Sequence, residues 1–192
     1  MKNLSKRTFI KAGLAGALSI TGLPVALTSV LAAEAEQAII ITPLIDALRS
    51  TNKPVCHAAA TKLLSLKDNN ANYDLHLRSA DLNPDEIQRI AKAIKAVHEE
   101  GGPSLQSFSM SYNPNLRNKG ALSLAQALPT TLTEIGLVDC GLTDDGGEAL
   151  ITWAAEAPKL HWLCVEQNTF SEETKDRFKR LGQARNGLLM VV

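Results

Sequence analysis

The sequence predicts an α/β solenoid, a stack of coils with parallel strands inside and helices outside, preceded by a helical cap. Apolar residues recur at intervals of about 28 residues from position 72 to the C-terminus. Each interval holds an apolar pair two residues apart, as on one side of a strand, and a later apolar position within a helix-like stretch. The second members of these pairs are Leu77, Met110, Leu137 and Val165.

Each predicted coil also has a turn residue and a roof residue after its strand. The turn residues are Ala80, Asn113, Cys140 and Asn168, and the roof residues are Leu82, Leu116, Leu142 and Phe170. An Asn side chain has both a donor and an acceptor with which to bond the backbone of neighbouring coils. Because a single coil cannot bury its apolar face, the coils must stack to form a core.

The turn positions resemble those of the ribonuclease-inhibitor type of leucine-rich repeat. That family alternates Asn and Cys at the turn, as in Asn113, Cys140 and Asn168, and favours Gly four residues after the roof, where Gly120 and Gly146 stand. The resemblance covers residues 72–192 and implies a short leucine-rich-repeat solenoid of about four repeats. For function it implies a protein-binding scaffold, whose contacts depend on the variable exposed positions.

Capping residues mark where the return helices begin. Asn83, followed by Pro84 and two acidic residues, predicts the start of the first return helix. Thr143 and Ser171 are the predicted N-caps of the third and fourth return helices.

The C-terminal residues continue the repeat pattern into a truncated fifth strand. One repeat length after Leu160 the chain has Leu188, and one repeat length after Leu163 it has Val191. Such a strand leaves an apolar edge, which a helix over residues 174–185 or self-association through that edge would cover.

The segment 36–71 precedes the first repeat and predicts a helical cap. Apolar residues follow helical spacing from Ala38 to Leu48 and again from Val55 to Leu66. Pro43 lies within the first of these stretches and is an alternative start for its helix. Repeat arrays need such caps because the core of the first coil is otherwise open.

Residues 1–35 have the pattern of a signal peptide. A basic start is followed by an uncharged stretch from Ala12 to Ala33 and by the cleavage pattern Ala33-Glu34-Ala35. An earlier site after Ala32 is the alternative. Cleavage predicts a mature chain that begins at Glu36, has no stable membrane span and is periplasmic or secreted by a bacterial-type route.

The basic start resembles the twin-arginine export motif. Ser5-Lys6-Arg7-Thr8-Phe9-Ile10-Lys11 matches its pattern, with Lys6 in place of the first Arg and with Arg7 and Phe9 at their expected places. Lys keeps the positive charge of Arg but lacks its planar fork of donors. The resemblance implies twin-arginine translocation, with general secretion or an uncleaved anchor as alternatives.

The charge balance of the mature part argues against some partners. The segment 1–33 carries four basic side chains and no acidic one, so the remainder has 16 basic and 20 acidic side chains and a net charge of −4. Such a chain has no general attraction to nucleic acid or to anionic membranes. The sequence therefore predicts another protein as the partner.

Residues that alternate with the core positions of each strand should form one inner, concave face. Trp, Arg and His are frequent in binding hot spots, and Trp162 is the leading contact residue. The alternative for Trp162 is packing beneath the C-terminal tail near Met190. The predicted partner-binding residues are Trp162, Arg78, His76, Asp74, Glu134 and Glu166, with Tyr112 at the rim.

Catalytic, metal and cofactor sites find little support in the sequence. Cys56, Cys140 and Cys164 read as structural thiols, and the histidines lack metal-ligand spacing. His161 is expected to face away from its neighbour Trp162. The favoured function is a non-catalytic interaction module without cofactor. The alternative is a cofactor-dependent enzyme, or an enzyme accessory, that uses the twin-arginine route.

Overall fold

The computed structural model of the chain describes residues 38–192, and the export motif with Lys6, Arg7 and Phe9 lies outside the described residues. Two helices come first, α1 (Thr42–Arg49) and α2 (Pro54–Leu63). Strands and helices then alternate as β1 (Asn72–His76), α3 (Pro84–Glu99), β2 (Ser104–Ser109), α4 (Arg117–Ala125), β3 (Glu134–Gly136), α5 (Asp144–Ala155), β4 (Trp162–Cys164), α6 (Glu172–Ala184) and β5 (Leu189–Val191). The five strands form one parallel sheet in sequence order, and the leucine-rich-repeat solenoid is confirmed.

The strands stack with their core residues opposite one another. Phe108 of β2 pairs with Ile135 of β3, and Ile135 pairs with Leu163 of β4. All three are at most 1% exposed. Each buried Phe or Leu side chain contributes about 2 kcal/mol of transfer free energy to the stack. On the outer layer α4 packs against α3 and α5, while α1 packs against α2 and α3.

The turn asparagines bond the backbone of two coils at once, as the repeat pattern predicts. The Asn113 side chain accepts from the Leu82 N–H and donates to the carbonyls of Leu77 and Met110. Asn113 is fully buried, whereas Asn168 is half-buried. Two coils later, Asn168 repeats the pattern and accepts from the N–H groups of Cys140 and Leu142. These bonds satisfy backbone groups that the turn removes from the sheet.

The residue before each turn position has a left-handed backbone. Ser79, Tyr112, Asp139 and Gln167 have φ angles of 52°, 61°, 50° and 59°. A positive φ is uncommon outside glycine, and here it recurs once in each coil. It turns the chain sharply away from the strand at the same height in every coil. The recurrence places Tyr112 at the rim of the strand layer.

The three predicted N-cap residues all lie at the starts of their helices, and two of them cap the helix with their side chains. Asn83 forms a capping box with Glu86, and the Ser171 hydroxyl accepts from the Thr174 N–H. Thr143 has the N-cap position of α5, but its side chain does not cap that helix. Its hydroxyl instead accepts from the Asn118 side chain at 2.6 Å. The predicted N-cap position is therefore confirmed, but the Thr143 side chain bonds the preceding coil rather than its own helix.

The fifth strand pairs in a different register from the predicted one. Met190 lies opposite Leu163, and Val191 lies opposite Cys164, so the last repeat is one residue shorter than the sequence pattern predicted. The interval from Phe108 of β2 to its strand partner Ile135 of β3 is shorter by one residue in the same way. The turn before β5 contains Gly187 at φ 86°, a backbone conformation that glycine adopts without strain. Val191 therefore does not occupy the core row.

No helix in the described range 38–192 is both long enough and apolar enough to cross a membrane.

Candidate binding surface on the strand face

The strand face is defined here as the side chains of β1–β5, and of the residues just beyond them, that point away from the helices. Strand pairing aligns these side chains into two rows across the sheet. The first row contains Asp74, Ser107, Glu134, Trp162 and Leu189, and the second contains His76, Ser109, Gly136, Cys164 and Val191. Neighbouring strands lie about 4.8 Å apart, so each row is a continuous line of neighbours.

A chain of hydrogen bonds crosses the strand face from β1 to His161, the residue before β4. His76 Nε2 lies 3.0 Å from Ser107 Oγ, and the Ser107 hydroxyl donates to Glu134 Oε2 at 3.2 Å. The other oxygen of Glu134 lies 3.3 Å from His161 Nε2. Side chains held in such a network keep one orientation, which lowers the entropy lost when a partner binds.

The position of His161 corrects the sequence prediction. Its ring lies beside Glu134, and Glu134 is the residue that pairs with Trp162. The prediction relied on the alternation of side chains along a strand. His161 precedes β4, whose first residue is Trp162, so strand alternation does not apply to it.

Part of the second row is closed to solvent. Ser111, which continues the row beyond β2, is 2% exposed, and Cys164 is 5% exposed. The Ser111 hydroxyl accepts from the Val138 N–H and lies 3.3 Å from Ser109 Oγ. Gly136 is buried beside these two serines. A Cβ at Gly136 would lie 3.3 Å from Ser109 Oγ, so there is little room for a side chain. Small side chains thus make a packed floor here rather than a contact surface.

The accessible part of the strand face lies at its two ends. Asp74, His76 and Arg78 are exposed near β1, and Glu166 is exposed beyond β4. Glu134 remains partly accessible in the first row, with 41% of its side chain exposed. A partner that lies on this face would therefore contact its ends and its first row.

Arg78 and Tyr112 form a stacked pair at the rim. The Arg78 guanidinium carbon lies 4.3 Å from the centre of the Tyr112 ring. A cation–π contact of this kind contributes about 0.5–1 kcal/mol at an exposed site. The Tyr112 ring and the Arg78 guanidinium limit each other's motion. The pair therefore offers a partner a flat, preorganised contact surface.

Trp162 is half-buried in the first row, between Glu134 and Leu189. Its cross-strand neighbour Leu189 is 60% exposed, so the two form an apolar patch. Met190, the packing partner that the sequence suggested, is paired with the core residue Leu163. A Cβ at Gly182 would lie 2.7 Å from Met190 Cγ, which places Met190 against α6 and away from Trp162.

The strand face carries more negative than positive charge. Asp74, Glu134 and Glu166 contribute three carboxylates, and Arg78 contributes one fixed positive charge. The two histidines, His76 and His161, are both engaged in the hydrogen-bond chain. The potential of this surface therefore favours cationic groups.

The three cysteines are free and buried. Burial raises the pKa of the Cys140 thiol to about 11, and it also raises the pKa of the Cys56 and Cys164 thiols. A thiol with a raised pKa holds little of the reactive thiolate at neutral pH. The surroundings of these thiols therefore suit structural positions rather than nucleophilic ones.

The acidic start of α5 also has structural partners. Asp144 Oδ1 accepts from the Ser171 N–H at 2.8 Å, which holds the pKa of Asp144 below its usual value. Glu148 forms an ion pair with Arg177 of α6. Among residues 38–192, no group of three or more His, Cys, Asp or Glu side chains is arranged to hold a metal ion.

Comparisons with known proteins agree with the repeat fold. A family model described as "Leucine Rich repeat" matches residues 129–150, which span β3 and the first part of α5. A solved structure described as "Leiomodin-1 Actin-Binding Site 2 (ABS2)" is similar at a TM-score of 0.51 and 12% sequence identity. The match covers 80% of this chain and 79% of that chain. At this identity the likeness shows the fold alone. No curated protein matches the chain.

Proposed function

We propose that this chain is a non-catalytic protein-interaction module that binds its partner through the strand face, the inner, concave side of the repeats. The observation that carries the proposal is the Trp162–Leu189 apolar patch beside the Glu134 hydrogen-bond chain. Hot spots join a partly buried aromatic residue to a polar rim in this way. The repeat fold supports the same function, and the similar leiomodin structure is itself described as an actin-binding site.

The charge of the strand face indicates a partner with a basic surface. Asp74 and Glu134 belong to the first row, and Glu166 lies beyond β4. A Lys or Arg side chain placed over Trp162 would meet both the indole ring and Glu134. Within residues 38–192 the sheet has five strands, so the contact area is small. A standard interface buries roughly 800 Å² on each partner, and this surface offers that much or less. A moderate-affinity complex with one partner follows.

Trp162→Ala is the variant that tests the strand face. We expect it to weaken binding of the partner by about 2 kcal/mol or more, because truncation removes the aromatic contact of the first row. Partners captured from an envelope extract with the wild-type chain supply the ligand, and calorimetry measures the affinity. Leu122→Ala is the matched control, since Leu122 is 51% exposed on the outer helix α4. Unchanged binding by Trp162→Ala together with weakened binding by Leu122→Ala would place the site on the helical side.

We infer export to the periplasm or beyond from the N-terminal motif, and a ribonuclease-inhibitor type of repeat from the order Asn113, Cys140, Asn168. The export motif supports the twin-arginine route, which carries folded proteins. A chain with three buried free thiols suits a route in which folding precedes transport. The signal and the interaction surface together describe an exported binding protein.

Changing Lys6 and Arg7 together to Gln is expected to trap the full-length precursor in the cytoplasm. The paired cations are the charged core of the motif, and Gln removes both charges. Fractionation and immunoblotting measure the distribution of precursor and mature chain. Lys2→Gln serves as the control because it lowers the charge of the same segment and keeps the pair. Normal processing and export of the double variant would contradict the twin-arginine assignment.

A further inference from the structure

Within residues 38–192, the strand β1 has one edge without a neighbouring strand. It lies at the end of the sheet order, with β2 on its other side. On the β2 side, the Leu77 N–H donates to the Ser109 carbonyl at 2.7 Å, and the Ser79 N–H donates to the Ser111 carbonyl at 3.0 Å. Backbone groups of successive residues point to opposite edges of a strand. The N–H and C=O groups of Asp74 and His76 therefore face the other edge.

These edge groups have no hydrogen-bond partner in the described part of the chain. They offer two donors and two acceptors in the spacing that an added strand would use. Natural proteins commonly cover or block such an edge because it pairs readily with another chain. Here the covering element, α2, stands away from β1 and leaves a cleft between them.

The α2–β1 cleft has a volume of about 470 Å³. This lies within the roughly 300–1,000 Å³ typical of ligand-binding clefts. Apart from Lys62, its helix side is apolar and includes Val55, Ala59 and Leu63, whereas its strand side carries Asp74 and His76. The cleft thus combines free backbone groups on one wall with a surface for an aliphatic side chain on the other.

Charge at the cleft further restricts its occupant. Lys62 lines the cleft from α2 and is exposed, and among residues 38–192 it forms no ion pair. A carboxylate on the occupant would complement Lys62 from the helix side of the cleft, away from Asp74 on the strand side. An extended segment with an aliphatic residue near an acidic one fits all three features: the free backbone edge, the apolar wall and Lys62.

We propose that the α2–β1 cleft binds an extended peptide segment of a partner protein as an added β-strand along β1. Its backbone pairs with Asp74 and His76, its aliphatic side chain packs against Val55 and Ala59, and an acidic residue lies near Lys62. In this mode the main-chain bonds supply affinity and the side-chain cleft supplies selectivity. The inference deepens the proposed function, because Asp74 and His76 belong to the strand face as well as to the cleft.

Peptides selected from a random heptapeptide phage library against the full chain provide the probe. They are synthesised with blocked ends and a fluorescent label, and anisotropy measures their affinity. Ala58 is exposed and lines the cleft, so Ala58→Trp fills the space without disturbing the core. We expect at least tenfold weaker binding to Ala58→Trp. The matched control Ala155→Trp, at an exposed position of α5 outside the cleft, should bind as the wild type does.

Backbone methylation of the selected peptides tests the added strand itself. Only every second N–H of an added strand faces β1. N-methylation at those alternate positions should weaken binding at least tenfold, while methylation at the intervening positions should change it little. Weaker binding on methylation of every second residue therefore supports strand addition. Equal weakening at all positions, or weakening with the period of a helix, contradicts it.

Other outcomes would overturn the proposal. Failure to select any binding peptide, or equal affinity for Ala58→Trp and the wild type, would show that the cleft does not bind an extended segment. A full-length chain that sediments as a dimer, and as a monomer after Ala58→Trp, would assign the cleft to a second copy instead. The Trp162→Ala variant is measured in parallel. If it loses the partner but still binds the selected peptides, the strand face and the cleft are separate binding sites.

Discussion

Replacing Asn113 with Leu is expected to lower the free energy of unfolding by about 4 kcal/mol. The substitution removes the side-chain partner of the Leu82 N–H and of the Leu77 carbonyl. It also leaves the Met110 carbonyl with only the weak Cys140 thiol donor, at 3.4 Å. Each buried backbone group that loses its hydrogen bond costs about 1–3 kcal/mol, and water cannot replace a side chain that is fully buried. Chemical denaturation followed by circular dichroism measures the loss.

Two further variants make this result specific to the turn position. Asn115→Leu changes the same residue type two positions away at an exposed site and should leave stability within about 0.5 kcal/mol of the wild type. Asn168→Leu removes an equivalent set of bonds at a half-buried site, so it should cost less than Asn113→Leu. Equal stability of the Asn113 and Asn115 variants would contradict the role of the turn amide.

Arg185→Met is expected to destabilise the chain by about 3 kcal/mol. The Arg185 guanidinium donates to the carbonyls of Ala154, Ala157 and Leu160, at 2.5, 2.6 and 3.2 Å. These carbonyls lie at and beyond the C-terminal end of α5, where the helix dipole also favours a positive charge. Hydrogen bonds from a charged donor contribute about 1.5–3 kcal/mol each and are not fully additive. Met keeps most of the side-chain length and removes the donors.

Arg180→Met is the control for Arg185, since Arg180 is exposed on α6. It should change the free energy of unfolding by less than about 0.5 kcal/mol. Proteolysis adds a second readout: in Arg185→Met, the segment from α6 to β5 should be cleaved faster than the rest of the chain. A variant with wild-type stability and an unchanged digestion pattern would show that Arg185 does not fasten the last coil.

The repeat could be read from the sequence because its physical requirements recur. Strand residues such as Phe108 and Ile135 must be apolar and in register, and a turn residue such as Asn113 must bond two coils. The register of β5 was harder to predict. Its turn contains Gly187, and coils that differ in length by a single residue have nearly the same apolar pattern, so the difference leaves little trace.

The candidate surface was less predictable than the fold. Alternation places Cys164 and Ser111 on the strand face, but it does not reveal that neighbouring side chains cover them. The exposure of a small residue depends on residues from other strands, and a single sequence does not specify those contacts. His161 shows the same limit, since it reaches Glu134 from outside a strand.

The α2–β1 cleft had no sequence signal at all. Helical spacing predicted α2, but the distance between a cap helix and the first strand depends on how the cap packs. Val55 and Leu66 look like ordinary core positions in the sequence, and in the structure both are only half-buried. Such half-burial of large apolar residues beside a free strand edge becomes visible only in the folded chain.

Site-specific photo-crosslinking in living cells tests the central claim most directly, because it captures a partner whose identity is unknown. A photoreactive phenylalanine analogue is placed at Glu134 or Glu166 on the strand face, and at Leu122 or Thr152 on the exposed helical side. The proposed function predicts a discrete crosslinked protein from Glu134 and Glu166 and none from Leu122 and Thr152. Crosslinks to a discrete protein from the helical positions alone would contradict binding through the strand face.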